Sequence, residues 1–389
     1  TGSLRNSGEK LELIGTSGTE IRNFSYGDGG SWPGRADGKG SSLEIIDPKG
    51  DPAASSNWRS SSEVGGTPGG EGLGADNRVV INEVLTHTDP PLKDAIELHN
   101  TTDTPIDLGG WLMSDNDNDF RKFTIPTGTT IPAGGYMVFT EEQFNPAPTR
   151  PQNNGFALSS AEGDSVWLVQ ADTLGNLQRF VDHVEFPAAP NGESFGRWPN
   201  ATGKLQSMLS RSLGKANPGP RIGPIVVTEI HYNPHSGNQS EEFIEIGNPT
   251  ATAISLANWK LRGGIDFDFP AWANLPAGEI LLLVNFNSDD PYKSADFKDA
   301  YGIKKSVNLL GPWEGGNLDG NQTIRLLRPG ILQEEPDKTP FYPGLMEDEV
   351  KYDDTAPWPT KANGQGASLN RKSLASWAHD PANWDALNP

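Results

Sequence analysis

The run AIELHNTTDTPIDLGGWLM at residues 95–113 is written a second time as FIEIGNPTATAISLANWKL at residues 243–261. Working outward, VVINEVL (79–85) answers IVVTEIH (225–231), and TIPAGGYMVF (130–139) answers NLPAGEILLL (274–283). Self-similarity over this length marks a repeated structural unit and takes precedence over any short motif. Inside the units, DSVWLVQ (164–170) and QTIRLLR (322–328) alternate apolar Val166, Leu168 and Ile324, Leu326 with other side chains, the period of a strand with one buried face. IPAGGY and LPAGE set Pro and then Gly between apolar runs, which is turn chemistry.

A second match links the two ends. WPGRADGKGSSLEIID (32–47) corresponds to WPTKANGQGASLNRK (358–372) at an offset of 326 (358 − 32), and that offset also pairs Tyr26 with Tyr352, Asp28 with Asp354 and Trp58 with Trp384. The middle of the chain carries a compressed version, NGESFGRW (191–198), with Arg197 against Arg371. The expected organisation is the second half of a unit over residues 1–70, a linker at 71–76, a complete unit at 77–220, a linker at 221–223 and a complete unit at 224–389. Both joints are rich in Gly, Pro and Ser and lack apolar periodicity. Many short strands separated by turns predict an all-β fold of tandem sandwiches.

Composition agrees. The chain has 389 residues with 45 Gly and 32 Pro, enough for two to three domains with cores of their own. It has no Cys, so no disulfide holds it. No stretch reaches the ~18 continuous apolar residues of a membrane span, and membrane insertion is not expected. A formal net charge of −20 repels phosphate backbones, which argues against nucleic acid as a partner.

The ordered set of V-x-[Asn/Thr]-Glu, I-E-[Leu/Ile]-x-Asn, L-x-x-W-x-L, [Ile/Leu]-P-A-G, a late V-x-Y-x-D and a closing S-x-G-x-x-N-P resembles bacterial lamin-tail domains. The resemblance implies an immunoglobulin-like β-sandwich in each unit. It also implies a secreted or surface-attached bacterial protein of many domains, with other chains or neighbouring domains as partners. The expected function is non-catalytic and extracellular: structural, adhesive or scaffolding. The alternative is a carbohydrate-binding array, or the accessory region of a secreted hydrolase, with polysaccharide as ligand.

The repeat separates scaffold from site. GESFG (192–196) fits a nucleophile elbow, but its counterparts GSSLE and GASLN keep only the Ser and an apolar residue, and no helix follows Ser194, so it is read as a turn. Glu83/Glu229 and Glu97/Glu245 recur and are read as scaffold. His231 and His235 flank Pro234, which breaks the helix that a zinc-protease pair requires. Asp115, Asp117 and Asp119 alternate with Asn in SDNDNDF, an oxygen-rich loop found in one unit only, which makes Ca²⁺ a candidate ligand. Among the eleven Trp, Trp167, Trp272, Trp313 and Trp377 lack counterparts. Trp167 matches Glu12 and Arg325, so it is expected to face solvent, and unpaired exposed Trp would serve sugar stacking or protein docking.

Residues 1–70 lack the V-x-[Asn/Thr]-Glu, I-E and P-A-G elements. Half a sandwich leaves apolar faces and strand edges open, with two explanations: a fragment of a longer polypeptide, or missing strands supplied by another chain.

Overall fold

The computed structural model describes residues 3–147, 155–335 and 337–389. In the middle unit, one antiparallel sheet has the order Tyr136–Thr140, Ala95–Asn100, Val79–Leu85, Ser194–Trp198, Lys204–Ser207. A second has the order Leu177–Phe186, Asp164–Ala171, Leu112–Ser114, Phe123–Thr124. The third unit repeats both. Its first sheet runs Asn308–Leu310, Ile280–Val284, Phe243–Gly247, Val226–His231, Ser368–Arg371, Trp384–Leu387, and its second Phe267–Asp268, Lys260–Gly263, Gln322–Pro329, Gly344–Tyr352. The fold is all-β, as the alternation requires.

In each complete unit the core lies between the two sheets. Val79, Ile81, Val84, Ile96 and Leu98 meet Met113, Val166 and Leu168 in the middle unit, and Val227, Ile230 and Ile244 meet Leu261, Ile324 and Leu326 in the third. Each such side chain contributes roughly 1.5–3 kcal/mol by leaving water. Trp111 and Trp259 are buried at matching positions. The third unit also covers the outside of its first sheet. Asp290 caps the helix Pro291–Ala300 by accepting from the Tyr292 and Lys293 amides, and Phe297 packs on Phe243, Leu282 and Val284.

The opening strand of each unit carries a bulge, between Ile81 and Glu83 and between Val227 and Glu229. A bulge takes backbone groups out of the ladder, and here the second sheet and the closing hairpin bind them. The Ile81 amide donates to Asp182 (2.7 Å), and Arg197 donates to the Ile81 carbonyl (2.8 Å) and to both Asp182 oxygens (2.9 Å each). In the third unit the Val227 amide donates to Asp348 (2.9 Å), and Arg371 donates to the Val227 carbonyl (3.1 Å) and to Asp348 (2.5 Å).

The N-terminal half consists of two separate hairpins, Glu9–Ile14 with Glu20–Tyr26 and Leu43–Ile45 with Trp58–Ser60. None of residues 3–60 is buried. The chain leaving the second hairpin then joins the middle unit. The Val64 amide donates to the Gln178 carbonyl (3.0 Å) and the Phe180 amide to the Ser62 carbonyl (2.7 Å), so residues 62–64 extend the second sheet along its edge. Arg179 holds the joint from the other side through Ser62, the Gly74 carbonyl and Asp76. The next joint is ionic. Arg221 and Arg328 share Glu193 and Glu347, Arg221 also donates to the Met346 carbonyl (2.7 Å), and the Arg221 amide donates to the Ser207 carbonyl (2.7 Å).

Phe180 lies at the centre of the first joint, with Arg35 over its ring at 5.1 Å. Phe180→Ala is expected to destabilise the middle unit by roughly 3–5 kcal/mol and to speed hydrogen exchange at the Val64 amide. Unchanged exchange at Val64 would show that the apolar contact does not hold the joint.

Candidate functional site

The most chemically distinctive arrangement is a pair of acids facing each other across the first two strands of each unit, Glu83 opposite Glu97 and Glu229 opposite Glu245. The bulge places them there. Glu83 accepts from Ser194 Oγ, from the Ser212 amide (3.0 Å) and from Ser212 Oγ (2.7 Å). Glu97 accepts from Asn82 Nδ2 (2.9 Å) and the Gly214 amide. In the third unit Glu229 accepts from Ser368 Oγ and Glu245 from Thr228 Oγ1 (2.6 Å). Burial pushes the Glu97 and Glu229 carboxyls up to about 7, assisted by the facing acids Glu83 and Glu245, against the pull of their hydrogen bonds.

Three of these acids fasten the segment that closes their unit, Glu83 through Ser194 and Ser212, Glu97 through Gly214 and Glu229 through Ser368, whereas Glu245 is held by Thr228 of the opening strand. Ser194 is a buried strand residue whose hydroxyl donates to the Glu83 carboxylate, in a strand context and not the strand–turn–helix of a nucleophile elbow. His231 is buried against Phe243 and Tyr301, whereas His235 is exposed and bonded to the Gly364 carbonyl, so the two imidazoles do not converge.

The three loop aspartates are drawn to separate partners. Asp115 pairs with Lys122, Asp117 with Lys39 of the N-terminal half, and Asp119 accepts from the Arg121 amide. Among the described residues no group of three or more Asp, Glu or His is arranged to hold a metal ion, Asp115, Asp117 and Asp119 included. Lysines paired with two of the three carboxylates supply the charge that a cation would have supplied.

The four unpaired Trp separate. Trp167 is 4% exposed, which overturns its expected exposure. Its register is as expected, since it pairs with Ser114 and His183 as Arg325 pairs with Arg262 and Glu349. What covers it lies partly outside its own sheet. Phe120 and Phe180 pack on it, with Val64 of the neighbouring half-unit at the edge of the same cluster, and the His183 ring stacks at 3.7 Å. Burial and nearby Arg35 hold His183 down to about 4. Trp313 is also buried, its Nε1 donating to the Gly316 carbonyl (2.8 Å) inside its own loop. Trp377 is half-buried and stacks on His379. Trp272 is 75% exposed on a turn.

A cleft of about 760 Å³ lies between the complete units, lined by Phe195, Leu205 and Lys204 on one side and Leu327, Met346 and Arg325 on the other. Arg325 is neutralised there by Glu349 at 2.6 Å. The residues that sequence reading missed are the Asp182–Arg197 and Asp348–Arg371 pairs. Their signals are the match of Arg197 to Arg371 and the recurrence of Asp-x-Val-x-[Phe/Tyr] at Asp182 and Asp348, but their bulge partner is backbone and leaves no letter.

Carboxyls raised by folding bind protons that the unfolded chain releases, so their stabilisation is present below their ordinary pKa and is lost as pH climbs from about 4.5 through about 7. His183 and His231, both held down to about 4, slope the other way between about pH 4 and 6.5. The difference profile isolates the acid. Glu97→Gln is expected to gain on the wild type by roughly 1–2 kcal/mol between about pH 5 and 8, measured by denaturant unfolding, and parallel profiles would contradict a raised Glu97.

A family model described as the lamin tail domain matches residues 74–186 and 218–333. No curated protein matches the chain. Among solved structures, it is similar to the crystal structure of a DUF4876 family protein from Bacteroides thetaiotaomicron VPI-5482 at 11% identity, over 80% of this chain and 92% of that one, with a TM-score of 0.28, too loose a superposition to carry an argument. The two family matches together span more than half of the residues and fall on the two complete sandwiches, and on that ground the chain belongs to the lamin tail domain family.

Proposed function

We propose that this chain is a non-catalytic structural protein, an adhesive or scaffolding array of sandwiches that is secreted or held at a bacterial cell surface, with other protein chains or neighbouring domains of a longer polypeptide as its partners. The observation that carries this reading is the construction of the joints. A string of independent modules needs only flexible linkers, whereas here residues 62–64 extend the edge of the next unit's sheet and Arg221 and Arg328 are tied to Glu193 and Glu347. Joints of this kind fix spacing and orientation, which is the property a scaffold uses. The chain's acidity disfavours nucleic acid as a partner.

Trp272 favours a second reading, a polysaccharide-binding surface or the accessory region of a secreted hydrolase, because an exposed indole on a turn offers a flat stacking face. One pair of measurements separates the two. Antibody labelling of intact source cells, together with affinity electrophoresis in polysaccharide gels, is expected to show surface exposure and unretarded migration. Retardation abolished by Trp272→Ala would favour the second reading, and an antigen confined to the cytosol would contradict both.

A further inference from the structure

We propose that the cleft between the complete units receives the hairpin of Gln333–Glu334 and Pro340–Phe341 from a second copy of this chain, the two copies exchanging hairpins about a two-fold axis. The inference rests on the scaffold reading and names one partner for it.

The repeat shows that the cleft differs from the matching place at the first joint. By register, Trp167, Phe180 and Leu112 of the middle unit stand where the third unit has Arg325, Met346 and Lys260. In the middle unit that outer face is apolar and closed, with Phe120, Trp167 and Phe180 in one cluster beside Val64 of the preceding half. In the third unit it is cationic and borders an open cleft of about 760 Å³, within the roughly 300–1,000 Å³ of sites that enclose a ligand.

The free chemistry of this cleft is positive and apolar. Among the described residues Lys204, Lys260 and Lys351 make no ion pair, since lysine pairs there involve Lys10, Lys39, Lys93, Lys122 and Lys372. Arg325 commits its Nε to Glu349 (2.6 Å). Two acids share the cleft. Glu349 is neutralised by Arg325 and His379, and the Glu185 side chain is 79% exposed at the rim. Leu205, Leu327 and Met346 supply the apolar lining. In a chain of net charge −20, free lysines beside aliphatic side chains select an occupant that is itself acidic and aliphatic.

The chain carries such a segment. Between Gln322–Pro329 and Gly344–Tyr352 the third unit inserts the hairpin, where the middle unit makes a short turn closed by the Asp172 amide on the Asn176 carbonyl (2.9 Å). Ile331 is 73% exposed and Leu332 52%, so the hairpin does not fill the cleft of its own molecule. Glu334 and Glu335 adjoin them in sequence. Grouped exposed apolar side chains mark an interaction site, and here acids accompany them. Position makes the exchange reciprocal. The hairpin grows from Pro329 and Gly344 at one end of the sheet, whereas Lys351 lies seven residues (351 − 344) along the strand, roughly 20 Å away. The face is thus acidic at one end and cationic at the other. A two-fold axis between the ends lays each on its opposite, the arrangement in which every contact occurs twice.

The test weighs the 389-residue chain by native mass spectrometry and sedimentation. A dimer is expected at micromolar concentration. Glu334→Lys/Glu335→Lys and Lys204→Glu/Lys351→Glu are each expected to weaken it at least about tenfold, because each variant sets like charges together. An equimolar mixture of the two is expected to restore the dimer, since every hairpin then meets a cleft of opposite sign. None of the four side chains belongs to a core cluster, and thermal melting of each variant reports that the units remain folded. A monomeric wild type overturns the proposal and leaves the cleft to another domain of the same polypeptide. A dimer that survives in either variant, or a mixture that stays monomeric, also overturns it. Each of these failures leaves the scaffold reading standing, which is judged by surface labelling.

Discussion

A bulged opening strand is the constraint on which each sandwich depends. The bulge withdraws the amide and carbonyl of Ile81, and of Val227, from their ladder and turns them toward the other sheet, where water does not reach. Buried backbone groups must find partners or cost about 1–3 kcal/mol each. A carboxylate from the second sheet takes the amide and a guanidinium from the closing hairpin takes the carbonyl, and the two charges neutralise each other. One site thus joins the first strand, the far sheet and the last hairpin, which no local interaction could bring together. The bulge also sets Glu83 opposite Glu97 and Glu229 opposite Glu245, so the acids that bind the closing segment follow from the same irregularity.

Much of this was legible as repetition. Two appearances of the I-E-[Leu/Ile]-x-Asn to L-x-x-W-x-L run placed the strands, the buried Trp111 and Trp259 and the recurrent acids, because each reflects a local period or a core position. Trp167 marks where that reading stops. Register predicted its neighbours, but its exposure depends on a different unit, whose residues 62–64 extend the same sheet and bring Val64 into its cluster, and no periodicity within residues 164–170 carries that information. The third unit leaves the matching face polar, with Arg262, Arg325 and Glu349, and what meets it there is the imidazole of His379, 3.3 Å from Glu349. The Asp115–Asp119 loop shows the same limit: its letters suit a cation, and the sequence gives no sign that Lys39, 78 residues away, pairs with Asp117.

The same long-range logic gives the N-terminal half its character. Its hairpins keep the register and the ring geometry of the third unit, yet none of residues 3–60 is buried, since the strands that would cover them are not among the described residues. It still does structural work for its neighbour by covering part of the middle unit's outer face. Stability in this array is therefore shared across joints, and a unit's surface is defined by what adjoins it.

The clamp is tested most directly by a double-mutant cycle on Arg371→Met and Asp348→Asn, read by equilibrium unfolding of the full chain. Each single substitution is expected to cost on the order of 3–5 kcal/mol by stranding a buried charge, with the double variant costing at least about 2 kcal/mol less than their sum. Additive losses below about 1 kcal/mol each would show that the pair is incidental and that the bulged strand is held by packing alone.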